Sequence, residues 1–150
     1  MNKPVLMSLD QAMEAMLAYA AVQPAIETVA TLDADQRVLA KDIHSEIQVP
    51  AFDNSAMDGY AFAHADFLTQ QGIFQPGQRI PSGHVPSAHQ SGQADRVFTG
   101  AAIPKGADTV VMQEECEVLP DGRVRIQSQP KKGQCVRKQG EDIGLNDTIL

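Results

Sequence analysis

The sequence predicts an α+β fold that is mainly β, with one helix near its start. Ser8 opens a Ser-Leu-Asp-Gln capping box, and apolar residues follow it at helical spacing, which predicts a helix from Leu9 to Ala21. Its methionine stripe, Met13 and Met16, is expected to face the core. After residue 66, Gly and Pro interrupt the chain every few residues and no stretch keeps a 3.6-residue period, which is typical of short strands joined by turns.

Between this helix and Pro50, the pattern predicts short extended segments. Residues Glu27–Leu32 are expected to form a strand, and the Asp-Ala-Asp-Gln sequence that follows is expected to form a helical turn. Residues Val38–Ile43 should then run as a second extended segment. Pro50 breaks this pattern, because proline lacks the N–H that a continuing ladder needs.

Two strand predictions further along the chain rest on well-defined residue patterns. The run Thr109–Met112 is largely β-branched and apolar, which predicts a buried strand. Glu117–Leu119 and Val124–Ile126 flank Pro-Asp-Gly-Arg, and the Asp121-Gly122 pair inside it predicts a hairpin turn. The second half of the chain should therefore form a sheet.

Composition argues against several functional classes. Lys and Arg number 12 against 19 Asp and Glu, and the net charge of −7 argues against broad binding to nucleic acid, although one small anionic ligand can still bind in a local pocket. No apolar run approaches the roughly 20 residues that cross a bilayer, and the first residues lack a secretory signal pattern. We therefore expect a cytoplasmic protein whose two cysteines, Cys116 and Cys135, are free thiols. His84 and His89 lack metal-ligand spacing and are expected in a surface loop.

The stretch FDNSAMDGYAF, residues 52–62, places polar residues among apolar ones. Asn54 and Ser55 are good helix N-caps and Asp58-Gly59 is a good turn, so a capped helical turn followed by a strand explains the pattern. The same turn would also set a carboxylate beside free backbone N–H groups, where a ligand or a cation can bind. The residues alone leave both interpretations open.

Two further stretches contain turn glycines beside polar residues. In FTGAAIPKGADTVVMQEE, residues 98–115, Thr99 adds a hydroxyl at a predicted strand end. Lys105 precedes its glycine there, so the order does not match a phosphate-binding P-loop. In VRKQGEDIGLND, residues 136–147, the first glycine is followed by two acids, which could hold a metal or a polar ligand or could form an ordinary surface turn.

Taken in order, these stretches resemble one family. The motifs LMSLDQA, RVLAKDI, VPAFDNSAMDGYAF, TGAAIPKGADTVV and RKQGEDIGLNDTIL are similar to the N-terminal region of the molybdopterin molybdenumtransferase (MoeA) family, to which the corresponding part of gephyrin also belongs. The resemblance covers nearly all of the chain. Gln36 and Asn146 depart from the family pattern, since both stand where glycine is common. Gln adopts positive φ less readily than Asn, so the turn before Arg37 is expected to differ locally.

The resemblance implies a fold and an activity. It implies an elongated framework, about residues 1–50 and 135–150, with an inserted β-rich, barrel-like module at about residues 51–134. The apolar end, Thr-Ile-Leu, indicates a chain cut from a longer protein. The resemblance implies that the catalytic α/β domain and the C-terminal β domain of that protein lie outside these residues. Family members insert molybdenum, supplied as molybdate, into adenylyl-molybdopterin in a Mg²⁺-linked reaction that releases AMP during molybdenum cofactor biosynthesis. They are homodimers whose cleft joins the N-terminal region of one subunit to the α/β domain of the other.

The resemblance also implies site residues. It assigns catalytic roles to Asp58, Thr99 and Asp142 and places Ser55 and Arg137 at the bound cofactor, while it leaves the metal ligands unknown. Asp58 would face the cleft and help to arrange a cation or the pyrophosphate-linked substrate. A non-catalytic scaffold or protein-interaction module of the same fold is the alternative, because gephyrin also anchors receptors. Such a module has no need to keep the three catalytic candidates together, which separates the two hypotheses.

Overall fold

The predicted capping box begins the first helix, α1 (Leu9–Tyr19). In the computed structural model, which describes residues 7–20 and 25–150, Ser8 Oγ accepts the N–H of Gln11 and Gln11 Oε1 accepts the N–H of Ser8. Each side chain thus satisfies a backbone donor that the start of a helix leaves free. The predicted last residue, Ala21, lies outside the described residues.

Helix α1 belongs to the first of two units into which the chain divides, residues 1–41 and 42–150. Met13 and Met16 are exposed, and no residue of α1 is buried. The expectation that the methionine stripe faces the core is therefore wrong for the described residues. Helical spacing predicts that apolar residues share one face, but it does not determine what covers that face.

The rest of the first unit contains less regular structure than the sequence predicts. The strand expected at Glu27–Leu32 is wrong, because Thr31–Asp33 forms a 3-10 helix and residues 25–30 join no ladder. Val38–Ile43, whose last two residues belong to the second unit, also lies outside the strands that the described residues form. Gln36 has φ +61°, so glutamine takes here the left-handed conformation that glycine adopts at less cost.

The second unit is built on strands, which confirms the prediction of a mainly β fold. The strands are β1 (Asn54–Ser55), β2 (Gly59–Phe62), β3 (Ile73–Ile80), β4 (Gln93–Val97), β5 (Thr109–Met112), β6 (Cys116–Val118), β7 (Val124–Ile126) and β8 (Val136–Arg137). Six of them form one mixed sheet in the order β5-β2-β4-β3-β7-β6, with β3 and β4 parallel and the other neighbours antiparallel. Strands β1 and β8 form a separate antiparallel pair.

Two predicted elements match this sheet. Strand β5 covers the predicted residues Thr109–Met112, and three of its four residues are fully buried. Strands β6 and β7 form the predicted hairpin, in which Leu119 N–H donates to Arg123 O at 2.8 Å and Asp121 Oδ1 accepts the N–H of Arg123 at 3.1 Å. Gly122 takes φ +85°. An Asp-Gly pair fits this turn because Asp closes it with a local hydrogen bond and Gly adopts the left-handed conformation without a steric clash.

A short helix, α2 (His64–Thr69), follows β2 and was not predicted from the sequence. Six residues are too few to show a 3.6-residue period, and the residue before the helix, Ala63, offers no capping side chain. Only Phe67 of this helix is buried. Neither α1 nor α2, the α-helices of the described ranges, is long and apolar enough to cross a membrane.

The core occupies both faces of the sheet, because successive residues of a strand point to opposite faces. On one face, the ring centroid of Phe62 lies 4.8 Å from that of Phe74 and 6.3 Å from that of Phe67. Ala61, the preceding residue, belongs to the second buried cluster together with Val110. Strand β2 is thus buried on both sides, and it begins immediately after the aspartate of the FDNSAMDGYAF stretch.

The loop between β3 and β4 corrects one prediction. His84 is exposed, as expected, but only 2% of the His89 side chain is exposed, so its expected surface location is wrong. His89 Nδ1 lies 2.7 Å from Oδ2 of Asp95, and Asp95 Oδ1 accepts the N–H of Gln78 at 2.9 Å. Gly77 permits this buried pair, since a Cβ there would lie 2.2 Å from Asp95 Oδ1. A histidine in a polar loop carries no local signal that the loop folds over a strand.

The two ends of the second unit pair with each other. Ile43 N–H donates to Leu150 O at 3.0 Å, and Ile149 N–H donates to Ile43 O at 2.8 Å. Further along, Val49 N–H donates to Ile143 O at 2.9 Å. An inserted module requires that the chain before and after it come together in this way, and the division into a framework and an inserted module stays a prediction.

Replacing Gln71 by glycine is expected to stabilise the second unit. Gln71 is exposed and has φ +51°, a conformation that costs a residue with a side chain about 1–2 kcal/mol, of which the greater chain entropy of glycine offsets about 0.5–1 kcal/mol. We expect the free energy of unfolding, measured by urea denaturation, to rise by about 0.5–1 kcal/mol. Gln70→Gly is the control, because Gln70 has φ −87° and only the entropic cost applies there. A loss of stability in both variants would contradict the strain assigned to Gln71.

Candidate functional site

Asp58 and Thr99, two of the predicted site residues, are joined by hydrogen bonds. Asp58 directly precedes β2, and Thr99 follows the end of β4, the neighbouring strand. Asp58 Oδ1 accepts the backbone N–H of Thr99 at 2.7 Å and the hydroxyl of Thr99 at 2.8 Å. We call this pair the Asp58–Thr99 clamp. Antiparallel pairing brings the start of one strand to the end of the other, which places the two residues together.

The clamp favours the ionised carboxylate. The hydrogen bonds from the backbone N–H and the hydroxyl of Thr99 hold the pKa of Asp58 below its ordinary value of 3.8, with a smaller contribution from the positive charge of Arg96. Both hydrogen bonds go to Oδ1, so no donor among the described residues contacts Oδ2. The hydroxyl proton of Thr99 is engaged by Asp58, and in this arrangement Thr99 therefore orients Asp58.

Ser55 fixes the turn at the centre of the FDNSAMDGYAF stretch. It is fully buried, and its Oγ donates to Met57 O at 2.6 Å, while Ser55 O accepts the N–H of Gly100 at 2.8 Å. The predicted N-cap roles of Asn54 and Ser55 are wrong, because these residues form β1. Asn and Ser bond nearby backbone in turns as readily as at helix starts. The geometry supports a positioning role for Ser55, and its direct contact with a ligand stays a prediction.

Gly59 holds the other side of the same turn close to β5. A Cβ on Gly59 would lie 2.0 Å from the carbonyl oxygen of Val111, which is backbone and cannot rotate away. The carbonyl of Asp58 accepts the N–H of Gln113 at 3.0 Å. Close packing against β5 therefore requires glycine at position 59.

Arg96 is a part of this site that the sequence analysis missed. Its Nη1 donates to Gly59 O at 3.0 Å and to Val97 O at 2.8 Å, and its Nη2 donates to the side chain of Gln113. The guanidinium carbon lies 4.6 Å from the ring centroid of Phe98. The feature of the sequence that could have identified Arg96 is its position on β4, the strand that leads to Thr99.

A second network holds the predicted Asp142 turn. Asp142 N–H donates to Val49 O at 2.9 Å, and Asp53 accepts Lys138 Nζ at 2.7 Å and the N–H of Gln139 at 2.8 Å. Burial raises the pKa of Asp53, but the hydrogen bonds from Lys138 and Gln139 together outweigh it, and the pKa lies below 3.8. The turn is thus tied to the chain just before β1.

The remaining predicted residues lie near this turn. Arg137 is an exposed residue of β8, which pairs with β1, and Asp142 is also exposed. Within the described ranges, no hydrogen bond joins Asp142 to Asp58 or Thr99. The structure therefore brings Asp58 and Thr99 into contact and ties Ser55 to the residue after Thr99, since Ser55 O accepts the N–H of Gly100. It places Arg137 on β8 opposite Asn54 and leaves Asp142 on the turn that follows β8.

The acidic residues supply few ligands for a metal ion. Residues 7–20 and 25–150 contain no group of three His, Cys, Asp or Glu side chains that could hold one. The open Oδ2 of Asp58 fits a different mode, in which Mg²⁺ keeps several waters and binds one or two carboxylates together with substrate phosphates. Asp58 is therefore a residue that could contribute one carboxylate to a Mg²⁺ site.

The two cysteines are free thiols, as expected. Burial, followed by the charge of Glu115, raises the pKa of Cys116 to about 12, and its Sγ donates to Met112 O at 3.3 Å. Burial also raises the pKa of Cys135. A thiol with a raised pKa forms little of the reactive thiolate, so neither residue is a candidate nucleophile.

Several known proteins are similar to this chain in sequence. The chain is 37% identical over 145 residues to a molybdopterin molybdenumtransferase of Haemophilus influenzae, covering 97% of this chain and 36% of the relative. It is 43% identical over 109 residues to a Nostoc protein of the same name, covering 69% of this chain and 25% of the relative, and 32% identical over 127 residues to gephyrin of Dictyostelium discoideum, covering 76% and 18%.

A solved structure shares the fold. The molybdopterin biosynthesis MoeA protein of Pyrococcus horikoshii superimposes with a TM-score of 0.76 at 28% identity, covering 97% of this chain and 38% of that protein. The match thus covers between 18% and 38% of the length of these relatives. Residues 7–150 match the family described as the MoeA N-terminal region (domain I and II). Because that match covers nearly the whole chain, the protein belongs to the MoeA N-terminal region family.

Proposed function

We propose that residues 1–150 form the N-terminal part of an enzyme that inserts molybdenum into molybdopterin. The proposed reaction transfers molybdenum from molybdate to the dithiolene of adenylyl-molybdopterin and releases AMP. The relatives named molybdopterin molybdenumtransferase support this activity, since the chain aligns with one of them over 97% of its length. The activity would need the rest of a full-length protein, because the chain corresponds to 36% of that relative.

The Asp58–Thr99 clamp is the observation that carries the proposal. A carboxylate with a lowered pKa and one oxygen without a protein donor is prepared to bind a cation or a water molecule. Asp58 is therefore proposed as the catalytic residue of this wall of the cleft, with Thr99 holding it in place.

The other site residues take supporting roles in the proposal. Asp142 would be a second carboxylate of the cleft, carried on the turn that Asp53 and Lys138 fix. Arg137, exposed on β8, would contact the anionic substrate. Ser55 would maintain the turn from its buried position.

Mg²⁺ is proposed as the metal ion of the full-length enzyme. When bound, it would neutralise phosphate charge and polarise the bonds to phosphorus. Asp58 Oδ2 would serve as one ligand, since a hard oxygen ligand suits a hard cation. We also propose a cytoplasmic homodimer in which this region of one subunit faces the α/β domain of the other.

Residues 1–150 alone are expected to be inactive. Positioning and charge stabilisation require groups on both sides of a cleft, and the proposed cleft takes its second wall from the α/β domain. The experiment compares the full-length protein with residues 1–150 in the presence of adenylyl-molybdopterin, molybdate and Mg²⁺, with AMP release as the measurement. The full-length protein should release AMP, and residues 1–150 should not exceed the uncatalysed rate. AMP release by residues 1–150 would refute the two-wall cleft, and none by the full-length protein would refute the activity.

A further inference from the structure

Two arginines on neighbouring strands approach the same aromatic ring. Arg79 of β3 pairs in register with Arg96 of β4, so the parallel ladder sets their backbones side by side. The guanidinium carbons of both residues lie 4.6 Å from the ring centroid of Phe98. The negative face of an aromatic ring attracts a cation, so Phe98 helps to hold both side chains in place.

These two arginines differ from others in the described part of the chain. Arg37, Arg123 and Arg125 each pair with an acidic side chain. Arg79 and Arg96 form no salt bridge within the described ranges, and Arg96 uses its donors on two backbone carbonyls and an amide side chain. In a chain with 19 acidic residues against 12 basic ones, this pair is left without a carboxylate in direct contact.

Arg79 is the free member of the pair. It is exposed, and none of its guanidinium N–H groups has a hydrogen-bond acceptor among the described residues. The planar guanidinium presents donors that match two oxygens of a phosphate group, and stacking against a ring fixes its orientation before a ligand arrives. Arg96 is fixed by its carbonyl contacts and adds a second positive charge at the same ring.

We propose that Arg79, Arg96 and Phe98 form a binding site for a phosphate or pyrophosphate group next to Asp58. Phe98 lies between the end of β4 and Thr99 of the Asp58–Thr99 clamp. The charges of Arg79, Arg96 and Asp58 sum to +1, in contrast to the net charge of −7 for the whole chain. A divalent cation on Asp58 would increase this local positive charge. The proposal deepens the proposed function, on which it rests for the identity of the natural ligand, because adenylyl-molybdopterin carries a pyrophosphate link.

Pyrophosphate alone is a suitable probe of this site. The experiment titrates inorganic pyrophosphate into residues 1–150 at constant ionic strength and follows the side-chain Nε–Hε resonances of Arg79 and Arg96 by ¹H–¹⁵N NMR. We expect saturable shifts of these resonances. Arg79→Gln should weaken the affinity about fivefold or more, because a charge-assisted, bidentate contact is lost. Arg79→Lys should give an intermediate affinity, because it keeps the charge without the planar fork.

Arg125→Gln is the matched control. Arg125 is also a strand arginine, but it pairs with Glu117 at 3.0 Å on the hairpin at the far edge of the sheet. Its replacement should leave pyrophosphate affinity unchanged. The proposal is overturned if the wild-type resonances do not move, if Arg79→Gln binds as tightly as the wild type, or if Arg125→Gln loses as much affinity. The titration measures binding only, so its failure is distinguishable from a failure of AMP release by the full-length protein.

Discussion

Asp58→Asn in the full-length protein is expected to lower the rate of AMP release about tenfold or more, roughly 1.4 kcal/mol of transition-state stabilisation. Asparagine has nearly the same shape, and its Oδ1 can still accept the N–H and the hydroxyl of Thr99, so the clamp should persist. The substitution removes the negative charge that Oδ2 offers to a cation. We therefore expect a loss of activity with a thermal midpoint that shifts by only a few degrees.

The hairpin turn provides a matched control for this substitution. Asp121 is also followed by glycine, accepts the N–H of Arg123 in a turn, and has a pKa lowered by its contacts with Arg123. Asp121→Asn should leave AMP release unchanged, since this turn lies at the far edge of the sheet. Near-wild-type AMP release by Asp58→Asn would show that Asp58 in the FDNSAMDGYAF stretch is an ordinary turn residue without a catalytic role. A similar loss from Asp121→Asn would show that the effect is not specific to the clamp.

Elements with strong local signals could be predicted from the sequence. The Ser8 capping box, the buried strand β5 and the Asp121-Gly122 hairpin each depend on residues close together in the chain. Local hydrogen bonds and side-chain periodicity determine such elements, and the same information is visible in the sequence. The strand predicted at Glu27–Leu32 lacked this support. Glu27–Leu32 has strand-forming residues but no partner strand among the described residues.

The site was predicted only in part, because its contacts join distant segments. The sequence stretches singled out Asp58 and Thr99 separately, but their hydrogen bonds depend on the register of β2 against β4. Arg96 was missed for the same reason, since its contacts with Gly59 and Gln113 arise from strand pairing. A register shift by one residue would turn these side chains to the other face of the sheet. Sequence motifs can therefore indicate candidate site residues, but they do not indicate which of these residues are in contact.

The buried His89–Asp95 pair under the β3–β4 loop is a stabilising contact that likewise could not be predicted from the sequence. His89 and Asp95 are six residues apart, and their side chains are 2% and 1% exposed. Nothing in the polar sequence between β3 and β4 distinguishes this histidine from the exposed His84. The pairing follows from the close approach of Gly77, which only the folded sheet reveals.

Asp95→Ala is expected to cause the largest loss of stability, about 3–5 kcal/mol. The substitution leaves two donors without their acceptor, the buried His89 Nδ1 and the backbone N–H of Gln78. His89 Nε2 already has no hydrogen-bond partner among the described residues, so the ring would lose its polar contact with the protein. A loss of this size is a large fraction of the roughly 5–15 kcal/mol that stabilises a typical domain. Urea denaturation of residues 1–150 measures it as a lower midpoint.

Two comparisons separate the buried pair from an ordinary hydrogen bond. Asp66 Oδ2 accepts one backbone N–H, that of Gly92, in the same loop. Asp66→Ala should therefore cost only about 1 kcal/mol. Asp95→Asn keeps an oxygen for the Gln78 N–H and can donate to a neutral His89, so it should recover a substantial part of the loss. If Asp95→Ala is no more destabilising than Asp66→Ala, the buried pair does not stabilise the loop as its geometry indicates. If Asp95→Asn is as destabilising as Asp95→Ala, the hydrogen bond to Gln78 is not the contact that matters.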